Sequence, residues 1–363
     1  MTRDWHSLST LSPKSGVEGR DLPVTGHRSP VTCIAAALLC AACAQVPTEP
    51  EVVAQPEAPA IAPAPPPQVE APPPAQVRAP EPPPPPADVW ERMRPDLRLA
   101  PLASPLVQEW EQYYARRTDY FARMVERSGR YLYHVIEEVE RRKMPAEVAL
   151  LPMIESAYNP QAYSRAHASG MWQFIPSTGK LYGLRQNFWY DGRRDVLAAT
   201  SAALDYLEKL HGMFGDWNLA LAAYNWGEGA VARAIAKNLA RGLPGDYESL
   251  TMPAETRNYI PKLQAVRNII ANPEQFGVTL ASVPNRPYFD TVTTERHIDV
   301  KLAAQFAEMS TEEFRFLNPA HNKPVIKADG SETIVLPIDR IAAFQRNLAA
   351  HDEPMVSWKT YTV

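Results

Sequence analysis

The sequence predicts a mainly α protein, with an all-α domain over residues 89–275 and a small α+β module over 286–346. Three observations predict it. Between Ser104 and Ile270 apolar residues recur at three- and four-residue spacing in one segment after another, the period of a helix that buries one face. No alternating strand pattern interrupts that stretch; short candidate strands come only after Pro284, at Tyr288–Val292 and Glu332–Leu336. The residues before 89 are too rich in proline to add an element of either kind.

In chain order, residues 1–43 come first. Arg20, His27 and Arg28 precede an apolar run, Val31–Ala42, which is too short to cross a bilayer as a helix and suits the core of a signal peptide. It ends Leu38-Leu39-Cys40-Ala41-Ala42-Cys43, which resembles a bacterial lipobox with Cys40 where leucine is usual. Cys43 is therefore the expected lipidation site. Ala44 follows it where an inner-membrane retention signal would carry Asp, so the expectation is an exported lipoprotein on the periplasmic face of the outer membrane. All three cysteines lie before residue 44, so the rest of the chain folds without a disulfide or a thiolate metal site. Residues 44–88 are expected to be a linker. Seventeen of the 37 prolines fall between Pro47 and Pro86, and a polyproline-like spacer of that length reaches on the order of 100 Å.

The helical domain opens with Ser104-Pro105, a cap followed by proline in the first turn. Leu106, Trp110, Tyr113, Tyr114, Phe121 and Met124 follow at helical spacing, an aromatic stripe that reads as core rather than as a sugar platform. Ser128 is expected to cap a second helix, with Leu132, Val135, Ile136 and Val139 inward and Glu137, Glu138, Glu140, Arg141 and Arg142 outward, ending before Met144-Pro145. Further helices are expected over 146–155, 195–211, 217–224, 229–240 and 255–270. The module should carry two short helices between its strands, the second opened by the capping box Ser310-Thr311-Glu312-Glu313. Residues 347–363 form a tail.

Composition excludes several functions. With 45% hydrophobic residues the 363-residue chain supports a core, and a net charge of −4 without a Lys/Arg run leaves no footprint for nucleic acid. His134, His167, His211 and His297 are scattered without metal-ligand spacing, so neither metal nor cofactor is expected. No phosphate-binding glycine loop or Gly-x-Ser-x-Gly elbow occurs.

One carboxylate stands out. In Ala149-Leu150-Leu151-Pro152-Met153-Ile154-Glu155-Ser156-Ala157-Tyr158-Asn159-Pro160, Glu155 ends an apolar helix. At the border of core and cleft, partial desolvation raises a carboxyl pKa and keeps a proton for general acid catalysis. A solvated or ion-paired helix end is the local alternative. Asp195 and Asp216 precede helical runs as caps do, while Glu228 and Glu255 lie at helix starts, where the dipole favours an anion. With Asp191 they are the other acids in range, and none is a convincing second catalytic carboxylate.

Glu155-Ser156 resembles the catalytic signature of lytic transglycosylases with a goose-type lysozyme-like (SLT) fold. Ala168-Ser169-Gly170-Met171-Trp172-Gln173-Phe174-Ile175-Pro176 is similar to that family's glycine-hydrophobic-hydrophobic-glutamine motif, and Ala223-Tyr224-Asn225-Trp226-Gly227 to its Ala-Tyr-Asn-x-Gly motif. Pro253-Ala254-Glu255-Thr256-Arg257-Asn258-Tyr259-Ile260-Pro261-Lys262 and Asn187-Phe188-Trp189-Tyr190-Asp191-Gly192-Arg193-Arg194-Asp195 extend the resemblance over residues 89–345. The resemblance implies a lysozyme-like catalytic domain acting, as a monomer, on peptidoglycan glycan strands, with Glu155 as the single acid and base. It further implies that Tyr224 and Tyr259 orient Glu155 by hydrogen bonds, that Ser164 and Gln173 contact the acetamido group or sugar hydroxyls, and that Asn225 braces the same wall. Trp172 stands where many relatives carry a smaller residue, and either core or groove suits it. Gly170 and Gly227 are expected where a side chain would block backbone approach or where φ must be positive. The module has a LysM-like look around Leu317-Asn318-Pro319, and Trp358–Val363 looks like the opening strand of a further, truncated repeat. A water-admitting muramidase and a non-catalytic wall-binding protein are the alternatives.

Overall fold

The computed structural model describes residues 86–328 and 333–357. The expected signal segment, Cys43, all but the end of the expected linker, and Trp358–Val363 lie outside the described residues.

The chain starts as α1 (Val89–Met93), capped by Asp88, whose carboxylate accepts from the Trp90 N–H at 2.7 Å. α2 (Pro105–Ala115) opens on Ser104 as its sequence suggests, the hydroxyl accepting from Leu106 N at 3.3 Å. The aromatic stripe then divides. Helix α2 stops at Arg116 and α3 (Thr118–Ser128) begins after Arg117, so Trp110, Tyr113 and Tyr114 lie on one helix and Phe121 and Met124 on the next. Ser128 does not cap a helix. It is the buried last residue of α3, its hydroxyl donating to Val125 O at 2.7 Å, and α4 (Leu132–Arg141) starts after Tyr131. A serine hydroxyl satisfies the carbonyl three residues back as readily as it caps an N-terminus.

A 3₁₀ turn, Ala146–Leu150, leads into α5 (Leu151–Ser156). There follow α6 (Pro176–Leu181), α7 (Val196–Phe214), α8 (Trp217–Trp226), α9 (Glu228–Leu239) and α10 (Ala254–Ala271). Asp195 and Asp216 cap α7 and α8, each carboxylate accepting from the N–H three residues on at 2.8 Å.

Helix α10 runs through the core and packs against α2, α5 and α8. It contains Pro261, which cannot donate to Arg257 O four residues earlier. The buried Tyr247 hydroxyl replaces that bond, lying 2.9 Å from both Thr256 O and Arg257 O. Two buried polar side chains fasten the segment before α2 to this core. Glu147 accepts from Arg98 N and Leu99 N at 3.1 and 2.9 Å, and Gln264 accepts from Leu102 N and donates to Ala100 O, both at 2.7 Å.

The C-terminal part pairs β1 (Phe289–Val292) antiparallel with β4 (Ile334–Pro337), Phe289 opposite Pro337. A second small ladder joins β2 (Ile298–Asp299) to β3 (Val325–Ile326), with α11 (Val300–Phe306) and α12 (Thr311–Leu317) between them and α13 (Ile338–Ala349) after β4. Ser310 caps α12, accepting from Glu313 N at 3.1 Å. Asn318 works as one more rung on β4, donating to Val335 O at 2.8 Å and accepting from Val335 N at 2.7 Å. Phe306, Phe314, Ile334, Leu336 and Phe344 centre this part's own core, while Phe289, Leu317 and Val335 join the large core of the helices. The architecture is thus the mainly α fold anticipated, with a small α+β part following it.

Candidate active site

Pro152 occupies the first turn of α5, where its missing N–H costs nothing, and the helix stops after Ser156 because Ala157 and Tyr158 both turn left-handed, at φ 53° and 54°. Non-glycine residues rarely adopt that conformation, and here packing enforces it. The Tyr158 hydroxyl donates to Ala149 O at 2.6 Å. Ser156, wholly buried, donates to Met171 O at 2.8 Å and so ties the helix end to the following loop. Glu155 is left at the rim of the core, half-buried.

The Tyr259 hydroxyl donates to Glu155 Oε1. Among the described residues nothing bonds Oε2, the oxygen available for a proton. Burial pushes the Glu155 pKa up to about 7; the Tyr259 bond opposes this, the Glu255 charge adds to it, and Lys262 opposes it. Desolvation wins because one hydroxyl replaces only part of a carboxylate's hydration. Lys262 is held with its ammonium 4.7 Å from the Trp110 ring centroid, and burial pulls its own pKa down.

Tyr224, at the end of α8, stands close enough to Glu155 for that charge to add to the effect of burial in raising its phenol pKa. It does not donate to Glu155, as the resemblance implied. Its single proton goes to Trp172 O, at 2.9 Å, and so fastens the loop that carries Gln173. Asn225 accepts from Thr256 Oγ1 at 2.8 Å and braces α8 against α10. Gln173 has φ 52° and turns its amide back to Gly170 O at 2.7 Å, while Ser164 Oγ accepts from Ala168 N at 3.0 Å. Hydrogen bonds therefore link Glu155 with Tyr259, and Ser156 and Tyr224 with the loop of Gln173, whereas Ser164 and Gln173 bond only within that loop. Trp172 is core: it is wholly buried, with Nε1 donating to Thr200 Oγ1 at 3.0 Å.

Sequence reasoning missed the clamp beneath this loop. The buried Arg193 guanidinium forms a two-point ion pair with Asp191, at 2.9 and 2.8 Å, and donates to His167 O at 2.7 Å and Phe174 O at 3.2 Å. It holds both ends of the loop that includes Gly170 and Gln173. A Cβ on Gly170 would lie 1.8 Å from Arg193 O, and φ there is 84°. Gly227 has φ 91° with open space around it, so only its conformation requires glycine. The remaining acids are engaged elsewhere: Asp191 by Arg193, Asp195 and Asp216 as caps, and Glu228 by Tyr206 at 2.8 Å and Lys209 at 3.0 Å. Glu255 is exposed in the first turn of α10. Among the described residues no three His, Cys, Asp or Glu side chains converge as metal ligands would.

Residues 134–242 match the family model "Transglycosylase SLT domain", and residues 288–353 match "Lytic transglycosylase MltD, LysM-like domain". Over 292 residues the chain is 36% identical to membrane-bound lytic murein transglycosylase D of Escherichia coli K12, covering 77% of this chain and 64% of that relative. The chain is similar to transglycosylases that carry an SLT domain. It thus spans a little under two thirds of the length of that relative. A second relative is a protein of Alteromonas sp. strain M-1 named for tributyltin chloride resistance, 51% identical over 120 residues, or 32% of this chain and 58% of that protein. The SLT match takes in Glu155, Gln173 and Tyr224, and Tyr259 lies beyond its end.

Proposed function

We propose that this chain is a peptidoglycan lytic transglycosylase of the SLT family that cleaves the β-1,4 bond between N-acetylmuramic acid and N-acetylglucosamine. The observation that carries the reading is a glutamate raised to about pKa 7 by burial and held by a tyrosine, with no second acid bonded beside it among the described residues. An ordinary glycosidase needs two carboxyl groups flanking the scissile bond. With one, the substrate must supply the missing nucleophile.

In this mechanism Glu155 gives its proton to the glycosidic oxygen as the C1–O4 bond breaks, and the muramic acetamido oxygen bonds C1 as the positive charge develops. Glu155, now ionised and stabilised by the Tyr259 hydroxyl, takes the proton of the muramic 6-hydroxyl. That oxygen displaces the acetamido oxygen from C1 and closes a 1,6-anhydro ring. Glu155 ends protonated, and no water is consumed. Ser164 and Gln173 contact the acetamido group or neighbouring hydroxyls, Tyr224 holds their loop, and Asn225 braces the wall. We place residues 89–275 as the catalytic domain and 286–346 as a wall-binding module, carried as a monomer on the periplasmic face of the outer membrane by a lipid on Cys43 with residues 44–88 as spacer. No described helix is long and apolar enough to cross a membrane.

Mass spectrometry of digested sacculi tests the reading. Muropeptides with anhydro ends are expected; reducing ends would make the enzyme a muramidase, and intact sacculi would make it non-catalytic.

A further inference from the structure

The stretch Asn187–Arg194 supplies the clamp under the Gln173 loop, yet its first residues face away from that task. Phe188 is 67% exposed and Trp189 half-buried, their rings edge to face with centroids 5.4 Å apart. The backbone beneath the two rings is held on both sides. Asn187 Oδ1 accepts from Trp189 N and Tyr190 N, both at 2.8 Å. From the C-terminal part, Asn322 donates its N–H to Trp189 O at 2.8 Å and its amide to Asn187 O at 3.1 Å, and accepts from Arg194. The same part contributes two cations: Lys323 Nζ lies 3.6 Å from the Phe188 ring centroid and Lys327 Nζ 4.4 Å from that of Trp189. Among the described residues neither ammonium pairs with a carboxylate.

We infer that Phe188, Trp189, Lys323 and Lys327 form a composite binding platform, built jointly by the helical and the C-terminal parts, for an anionic glycan strand. The assignment rests on the substrate class proposed above and adds a second holding point for it. A sugar offers C–H faces that stack on aromatic rings, while the stem peptides of a peptidoglycan strand offer carboxylates to unpaired ammoniums. Both rings stand on backbone already fixed by hydrogen bonds, so little ordering entropy is lost when a strand settles on them. The platform is also joined through the chain to the clamp beneath the Gln173 loop. Five residues beyond Phe188, the same segment carries Arg193, whose guanidinium holds His167 and Phe174.

The test uses the full chain with Glu155→Gln, so that strands are bound and not consumed, and measures co-sedimentation with purified sacculi and with chitin, a neutral polymer of N-acetylglucosamine. Phe188→Ala with Trp189→Ala is expected to weaken binding to both about tenfold. Lys323→Gln with Lys327→Gln is expected to weaken binding to sacculi by a similar factor, in a salt-dependent manner, and to leave chitin binding unchanged. The Lys323→Arg, Lys327→Arg pair should bind sacculi as the parent does. Parent-like binding of both pairs to sacculi would overturn the inference, as would a lysine effect on chitin or an absence of any ring effect. Because binding is read without cleavage, a wild-type chain that releases no anhydro ends would overturn the catalytic reading and leave this result to stand or fall separately.

Discussion

At the scale of single residues, the candidate site turns on how strongly burial holds a proton on Glu155. General acid action needs that proton, so turnover of sacculi should fall as pH rises through about 7. Glu155→Gln should lower turnover at least about a hundredfold. The same group affects stability. Its folded pKa lies above its ordinary value of 4.5, so protonation favours the folded state; this contribution is complete below about 4.5 and is lost as pH rises through about 7. Glu155→Gln should therefore raise the melting temperature more at pH 8 than at pH 5, by an amount equivalent to roughly 1–3 kcal/mol. An equal change at both pH values would show that the carboxyl is well solvated. Tyr259→Phe removes the bond that favours the ionised form, so the alkaline limb of the activity profile should move to higher pH; an unmoved limb would mean that the hydroxyl does not reach the carboxyl in solution.

Elements carry the next group of effects. Helix α10 is continuous across Pro261 because Tyr247 bonds the carbonyl that proline leaves open. Tyr247→Phe keeps the ring and loses the hydroxyl, so denaturant unfolding should show about 1–2 kcal/mol less stability. Gly170→Ala drives a methyl into Arg193 O and should disorder the Gln173 loop, costing binding as well as stability, whereas Gly227→Ala meets only a backbone penalty and should cost about 1–3 kcal/mol. Most long helices were legible in the sequence. An amphipathic period repeated over ten or more residues fits little besides a helix, and Asp195, Asp216, Ser104 and Ser310 announce starts by side-chain chemistry that is purely local. The failures share the opposite cause. Ser128 has the chemistry of a cap but lies where the carbonyl of Val125 is nearer, the break between α2 and α3 carries no glycine or proline, and the two-residue ladder of β2 with β3 is too short to show a period. Glu155 was legible through its apolar context and motif. The Arg193 clamp was not, because its partners at His167 and Phe174 are backbone carbonyls, which leave no mark on composition.

Across the molecule, the helical part and the C-terminal part share one core. Tyr131, fully buried, donates to Phe316 O at 3.2 Å, and Phe289, Leu317 and Val335 belong to the helices' own apolar cluster. A chain ended after residue 285 should expose these contacts, melt at a lower temperature and bind an apolar dye, with unchanged melting as the contrary result. His321, buried against Tyr190, is pulled by that burial to a pKa of about 4 and stays neutral at physiological pH, so the contact should not loosen under mild acid. The stitching of Asn187 and Arg194 to Asn322 has a consequence for ancestry. Three residues separated by as many as 135 positions in the gene form a single joint, so a crossover falling between them would bring together halves that no longer recognise each other. In descendants of this chain the two parts should travel as one heritable block, with changes on either side of the joint arising in pairs.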